Sequence, residues 1–120
     1  MNIEKQQDKC GHHYDHSYDH TYNSYQFIKL ADNVKLFVGS SDDWRFNSGV
    51  TKIDPDVEDG FLYVHGHSGS IYRIPVVSGH MSGYATSVLC GIVCRIAAAG
   101  IYDYSLLTLD EAIEMVAEEH

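Results

Sequence analysis

The chain has 120 residues, a length typical of one domain, and its 17 acidic side chains outnumber 8 basic ones. The formal net charge of −9 argues against direct binding to the phosphate backbone of a nucleic acid. The three cysteines have no disulfide spacing and favour a reducing compartment, which we expect to be the cytoplasm. The opening Met1–Lys9 is polar and no apolar run follows it, so we expect no secretory leader.

The N-terminal stretch is unusual because it repeats a short tyrosine-rich unit. The units YDHS, YDHT and YNSY follow one another at Tyr14–Ser17, Tyr18–Thr21 and Tyr22–Tyr25. No aliphatic residue follows Ile3 up to Ser24, so the stretch lacks an apolar face of its own. We therefore expect residues 1–24 to form an arm before a single domain at residues 25–120. The arm would bind a partner through its tyrosines, which give a large contact area at low entropic cost: Tyr14, Tyr18 and Tyr22.

Residues 25–77 show the alternation and the turn residues that are typical of short β-strands. Five strands are predicted, at Tyr25–Leu30, Val34–Gly39, Val50–Ile53, Phe61–His65 and Ser70–Val77. The first two flank a tight turn at Ala31–Asn33, and the last two flank a turn at Gly66–Gly69. The polar, turn-rich segment Gly39–Gly49 is expected to be a loop.

The longest apolar run, Gly83–Gly100, predicts a central helix with two faces of different size. The large face carries Ala85, Val88, Leu89, Ile92, Val93 and Ile96, and the small face carries Ser87, Cys90, Gly91, Cys94, Ala97 and Ala98. We expect the large face to pack on the sheet and the helix to be covered on most sides. We predict that the C-terminal helix packs on the small face. If that helix packs elsewhere, the small face becomes a surface for self-association or for a partner.

A capping box formed by Thr108 and Glu111 predicts a C-terminal helix. Its apolar side carries Leu109, Ala112, Ile113 and Val116, and its acidic side carries Asp110, Glu111, Glu114 and Glu118. Strands that precede helices predict an α+β fold, with a small antiparallel β-sheet of about five short strands. This sheet would pack on the central apolar helix and on the C-terminal amphipathic helix.

Histidines occur in two groups that have the spacing of metal ligands. The groups are His12, His16 and His20 in the arm, and His65, His67 and His80 in the domain. Members of the first group would share one side of a helix, and two members of the second would share one side of a strand. Either group could bind Zn²⁺ or another divalent metal ion. A disordered arm and a hairpin tip that carries histidines explain the same residues without a metal.

The polar loop contains the only tryptophan of the chain, Trp44, next to Arg45 and Phe46. Tryptophan and arginine are enriched among the residues that dominate binding at protein interfaces. A loop tryptophan can equally close one end of a small core. Both interpretations of Trp44 remain open at this point.

The sequence contains no nucleophile elbow and no phosphate-binding loop. We therefore predict a small acidic, non-enzymatic protein that binds and blocks a protein partner. The acids Glu111, Glu114 and Glu118 would oppose a basic, nucleic-acid-binding surface of that partner. The alternative is a metal-binding protein or a small metalloenzyme that uses one of the histidine groups.

In its size, its acidity and its lack of motifs, the chain resembles the small accessory proteins that phages and mobile elements encode. This class-level resemblance implies an inhibitor of host defence, of the anti-CRISPR or anti-restriction type, that acts in the host cytoplasm. We expect no membrane association, because the run Gly83–Gly100 is shorter than a membrane span and contains Arg95.

Overall fold

The computed structural model describes residues 18–56, 60–100 and 103–119. These residues form eight strands and two helices. The strands are β1 (His20–Thr21), β2 (Ser24–Leu30), β3 (Asn33–Gly39), β4 (Trp44–Phe46), β5 (Val50–Asp56), β6 (Phe61–Gly66), β7 (Ile71–Pro75) and β8 (Tyr104–Leu107). The helices are α1 (Gly83–Ala99) and α2 (Leu109–Glu119). The predicted α+β class is confirmed.

The strands form two four-stranded sheets where the sequence predicted one sheet. Sheet I has the order β1-β7-β6-β5, and sheet II has the order β4-β3-β2-β8. β1 runs parallel to β7, and the other neighbouring strands are antiparallel. The expected hairpins are β2–β3, with Leu30 opposite Asn33, and β6–β7, with His65 opposite Ile71.

The main core lies between the two sheets, because alternate residues of their strands are apolar and point inward. The most deeply buried residues of this core are Phe27, Val34, Leu36, Val38, Val64 and Ile74. α2 packs on β5, β3 and β8, and it adds Ala112 and Val116 to the same core.

α1 covers the outer face of sheet II, where Phe37, Ala85 and Ile92 belong to a second apolar cluster. The helix begins after Ser82, whose Oγ accepts a hydrogen bond from the backbone N–H of Ala85 at 3.0 Å. It ends at Gly100, whose φ of 65° is in the left-handed region that glycine adopts readily. The large apolar face therefore packs on a sheet, as the sequence predicted.

Two expectations about the surroundings of α1 are wrong. The helix is not covered on most sides, because most of its small face is exposed, including the free thiols of Cys90 and Cys94. α2 does not sit on that face, because Ala112 and Val116 are buried in the core between the sheets. The small face is thus an exposed helix surface without a charged side chain.

Two stretches that were expected outside the sheets belong to the folded body. Trp44–Phe46, in the predicted loop, pairs with β3. His20–Thr21, in the predicted arm, pairs with β7, and Tyr22 lies in the main core. His20–Thr21 and Tyr22, which belong to the predicted arm, therefore contact the sheets.

Candidate functional site

The exposed side of α2 carries acids that the sequence analysis predicted to contact a basic surface of a partner. The helix begins with the predicted capping box: the Thr108 N–H donates to Glu111 Oε1 at 2.8 Å, and Thr108 Oγ1 accepts the Glu111 N–H at 3.2 Å. Because Ala112 and Val116 turn toward the core, three further acids of the helix lie at the surface. We call these exposed residues the acidic face: Asp110, Glu114 and Glu118.

The charge of the acidic face is not balanced by basic neighbours on the same helix. Arg95 is the last lysine or arginine of the sequence. Within the three described segments, the ion pairs join Lys52 to Asp54 at 3.4 Å and His65 to Asp54 at 3.1 Å, and neither involves α2. Like charges one helical turn apart repel each other, so a basic partner would relieve this repulsion.

A groove with a volume of about 530 Å³ lies between α2 and β5. This volume is large enough to admit several side chains of a partner. Its lining residues are Thr51, Lys52 and Ile53 of β5 and Ile113, Val116 and Ala117 of α2. Ile113 is 37% exposed although it is a large apolar residue. An apolar groove therefore lies beside the acidic face. Sequence reasoning placed Ile113 on the inner side of α2 and missed this groove.

Trp44 and Arg45 are exposed residues of β4, an edge strand of sheet II that pairs with β3. The Trp44 ring stacks on Phe37, with ring centroids 6.2 Å apart and planes 18° apart. Its exposed fraction is 37%. Trp44 thus covers part of the second apolar cluster and still shows surface to solvent, and its contact with a partner remains a prediction.

The tyrosines of the repeat differ in their surroundings. Tyr18 is 46% exposed, and its ring lies 6.3 Å from the ring of Tyr63 and 5.6 Å from the guanidinium of Arg73. Tyr22 is only 8% exposed, and its ring lies in the main core. Tyr14 lies outside the described residues.

Tyr22 also forms one wall of a polar pocket of about 400 Å³ at one end of the sheets. Its hydroxyl donates to Asp43 Oδ2 at 2.6 Å. Burial, followed by this hydrogen bond, raises the pKa of Tyr22 to about 12, and the same bond lowers the pKa of Asp43. The pair joins two segments 21 positions apart in sequence. No local motif could have predicted this pocket.

The domain histidines are not gathered into one site. His65 Nε2 lies 3.1 Å from Asp54 Oδ2, His67 is exposed in the β6–β7 turn, and His80 is exposed before α1. Among the residues that the structure describes, no three His, Cys, Asp or Glu side chains are placed to hold one metal ion. The structure therefore does not bring His65, His67 and His80 together.

The arm histidines were predicted to form the other metal site. The ring of His20 packs against Tyr72 at a centroid distance of 5.1 Å, on the short strand β1. His12 and His16 lie outside the described residues. The expected helical arrangement does not extend to His20, because this residue is in a strand.

The chain matches no protein family, no curated protein and no solved structure. In the described part of the chain, neither helix has the length and apolar character needed to cross a membrane. The function must therefore be inferred from the surfaces of the molecule itself.

Proposed function

We propose that this protein is a non-enzymatic interaction module that binds a basic surface of a protein partner through the acidic face of α2. One observation supports this proposal most directly. Three exposed acids occupy successive turns of one helix, and no described basic side chain pairs with them. Uncompensated charge of one sign steers oppositely charged partners and selects among them.

The form of the acidic face also supports a blocking role. Residues four positions apart on a helix are separated by about 6 Å along its axis, so Asp110, Glu114 and Glu118 present negative charge at regular intervals. A nucleic-acid backbone also presents regular negative charge. An inhibitor of host defence would use this row to occupy the basic channel of a nucleic-acid-binding protein.

The test uses the full chain as bait in a lysate of its native host. The variant Glu114→Gln/Glu118→Gln removes two charges from the acidic face while it preserves side-chain size. The matched control Asp32→Asn/Asp42→Asn removes two charges from exposed turns of sheet II.

We expect wild type and control to capture the same partner, and increasing salt to release it. The α2 variant should bind that partner about fivefold more weakly, since two exposed ion pairs contribute about 1 kcal/mol together. Capture of no partner overturns the proposal. Capture that neither salt nor the α2 variant weakens also overturns it.

A further inference from the structure

The groove beside α2 is bounded by an edge strand. β5 is an edge strand of sheet I, and β6 is its neighbour in the sheet. The pairing of β5 with β6 shifts register between Val50 and Lys52, so strict alternation of side chains does not hold at Thr51. Thr51, Lys52 and Ile53 are consecutive and all line the groove. These residues belong to an edge strand, so the groove adjoins a strand that pairs on one side only within the described segments.

This edge has backbone groups that can hydrogen-bond to a further strand. Alternate residues of an edge strand direct their N–H and C=O groups away from the sheet. In the described segments, no strand pairs with β5 on the side opposite β6. Pro55, which lacks an N–H, lies opposite Leu62 farther along β5, and proline is tolerated in sheets at such edges.

The wall that α2 contributes to the groove is apolar, and the charged lining residue, Lys52, belongs to β5. Ile113 and Ala117 line the groove one helical turn apart. Glu114 and Glu118 each follow one of these residues in sequence and are exposed. A lysine or arginine side chain could lay its aliphatic stem over the apolar wall and extend its charge toward the acidic face of the same helix.

We propose that the groove binds an extended, lysine- or arginine-containing segment of a protein partner, which adds as a strand to the free edge of β5. The inference rests on the proposed function, because the acidic face supplies the charge complementarity. It adds the conformation of the partner segment and the place where its backbone pairs. Main-chain hydrogen bonds give affinity in such strand addition, and side-chain contacts give specificity.

The probe is a short, capped peptide that alternates lysine and valine and carries a fluorophore. Its control is the same peptide with every backbone nitrogen methylated, which has the same charge but no N–H donor. The protein variant Ala117→Phe fills the groove from an exposed position of α2. Its matched control is Ala97→Phe on the exposed small face of α1. Circular dichroism establishes that both variants are folded.

Fluorescence anisotropy measures each affinity. We expect wild type and Ala97→Phe to bind the unmodified peptide about tenfold more tightly than the methylated one, as the loss of one or two net hydrogen bonds implies. In Ala117→Phe this difference should disappear, which leaves weak binding driven by charge. Equal affinity of the two peptides for wild type, or an unchanged difference in Ala117→Phe, overturns strand addition.

The two proposals fail in different ways. If strand addition is wrong but the acidic face binds cations, both peptides bind equally and both lose affinity in Glu114→Gln/Glu118→Gln. If the acidic face has no role, Glu114→Gln/Glu118→Gln leaves the affinities of both peptides unchanged.

Amide hydrogen exchange locates the bound peptide. Protection of Thr51–Ile53 on peptide binding supports the proposal. Protection at Tyr104–Leu107, the edge of sheet II, overturns it. Protection of Thr51–Ile53 without peptide, increasing with protein concentration, would show that a second copy fills the groove and would also overturn it.

Discussion

The contact between α1 and sheet II depends on the absence of a side chain at Gly39. A Cβ atom at this position would lie far inside van der Waals contact of the Ala85 methyl group, and 3.6 Å from the Ala85 Cα. Ser24 and Trp44 pair with Gly39 from both sides, so the strand cannot shift aside easily. Gly39→Ala should therefore push α1 away from the sheet.

The expected cost of Gly39→Ala is about 2 kcal/mol, the middle of the range for overpacking a core. Ala85→Gly should also cost about 2 kcal/mol, because a buried methyl group and helix propensity are lost. In the double variant, the methyl group on the strand occupies the space that the helix methyl group vacates. Its nearest helix atom is then the Cα at 3.6 Å, an ordinary contact distance. The double variant should cost only about 1 kcal/mol, a coupling of about 3 kcal/mol.

Guanidinium denaturation, followed by circular dichroism, measures the free energy of unfolding of each form. Gly91→Ala on the same helix is the matched control, because its Cβ would meet no atom within 4 Å. This control should increase stability by about 1 kcal/mol through helix propensity. The reasoning is refuted if Gly39→Ala is as stable as wild type, or if the costs of the two single variants add in the double variant.

Three further predictions follow from local contacts. Asn47→Ala should lower the free energy of unfolding by about 2 kcal/mol, because the buried Asn47 amide accepts one backbone N–H at 2.8 Å and donates to one carbonyl at 3.2 Å. Urea denaturation measures this change, and an unchanged midpoint would contradict it. The pKa of Tyr22 rises from 10.0 to about 12 on folding, so its contribution to stability is complete below pH 10 and is lost as pH rises toward 12. Tyr22→Phe should show a smaller alkaline decline than wild type in a pH series of thermal melts, because burial also raises the pKa of Tyr25 and Tyr72 and these two still contribute. An identical decline in both forms would exclude a contribution from Tyr22. Iodoacetamide should modify Cys90 and Cys94 in the native protein as readily as in the denatured one, and mass spectrometry showing protection of either thiol would contradict their exposure.

Local sequence determined where both helices begin and where α1 ends. Ser82 and the pair Thr108–Glu111 bond to backbone groups within three positions, and Gly100 ends α1 through its own φ. These interactions need no distant residue, so the capping rules predict them. The two hairpins were predictable for the same reason, since a tight turn joins residues that are close in sequence.

The acidic face of α2 was also predictable as a helical surface, because the spacing of its acids and apolar residues sets which side is buried. The groove was not predictable. It needs α2 to lie beside β5, and these elements are more than fifty positions apart. A sequence pattern shows that Ile113 is apolar, but it does not show whether a neighbouring element covers that side chain.

Tertiary structure decided the remaining features. It separated the strands into two sheets, left the small face of α1 exposed, and placed Tyr22 in the core with its hydroxyl on Asp43. Polarity and periodicity are properties of single segments, and they determined what each element could bury. The partner that each apolar face packs against depends on how all apolar faces can be buried together. This is set by contacts between segments that are distant in sequence, which only the tertiary structure shows.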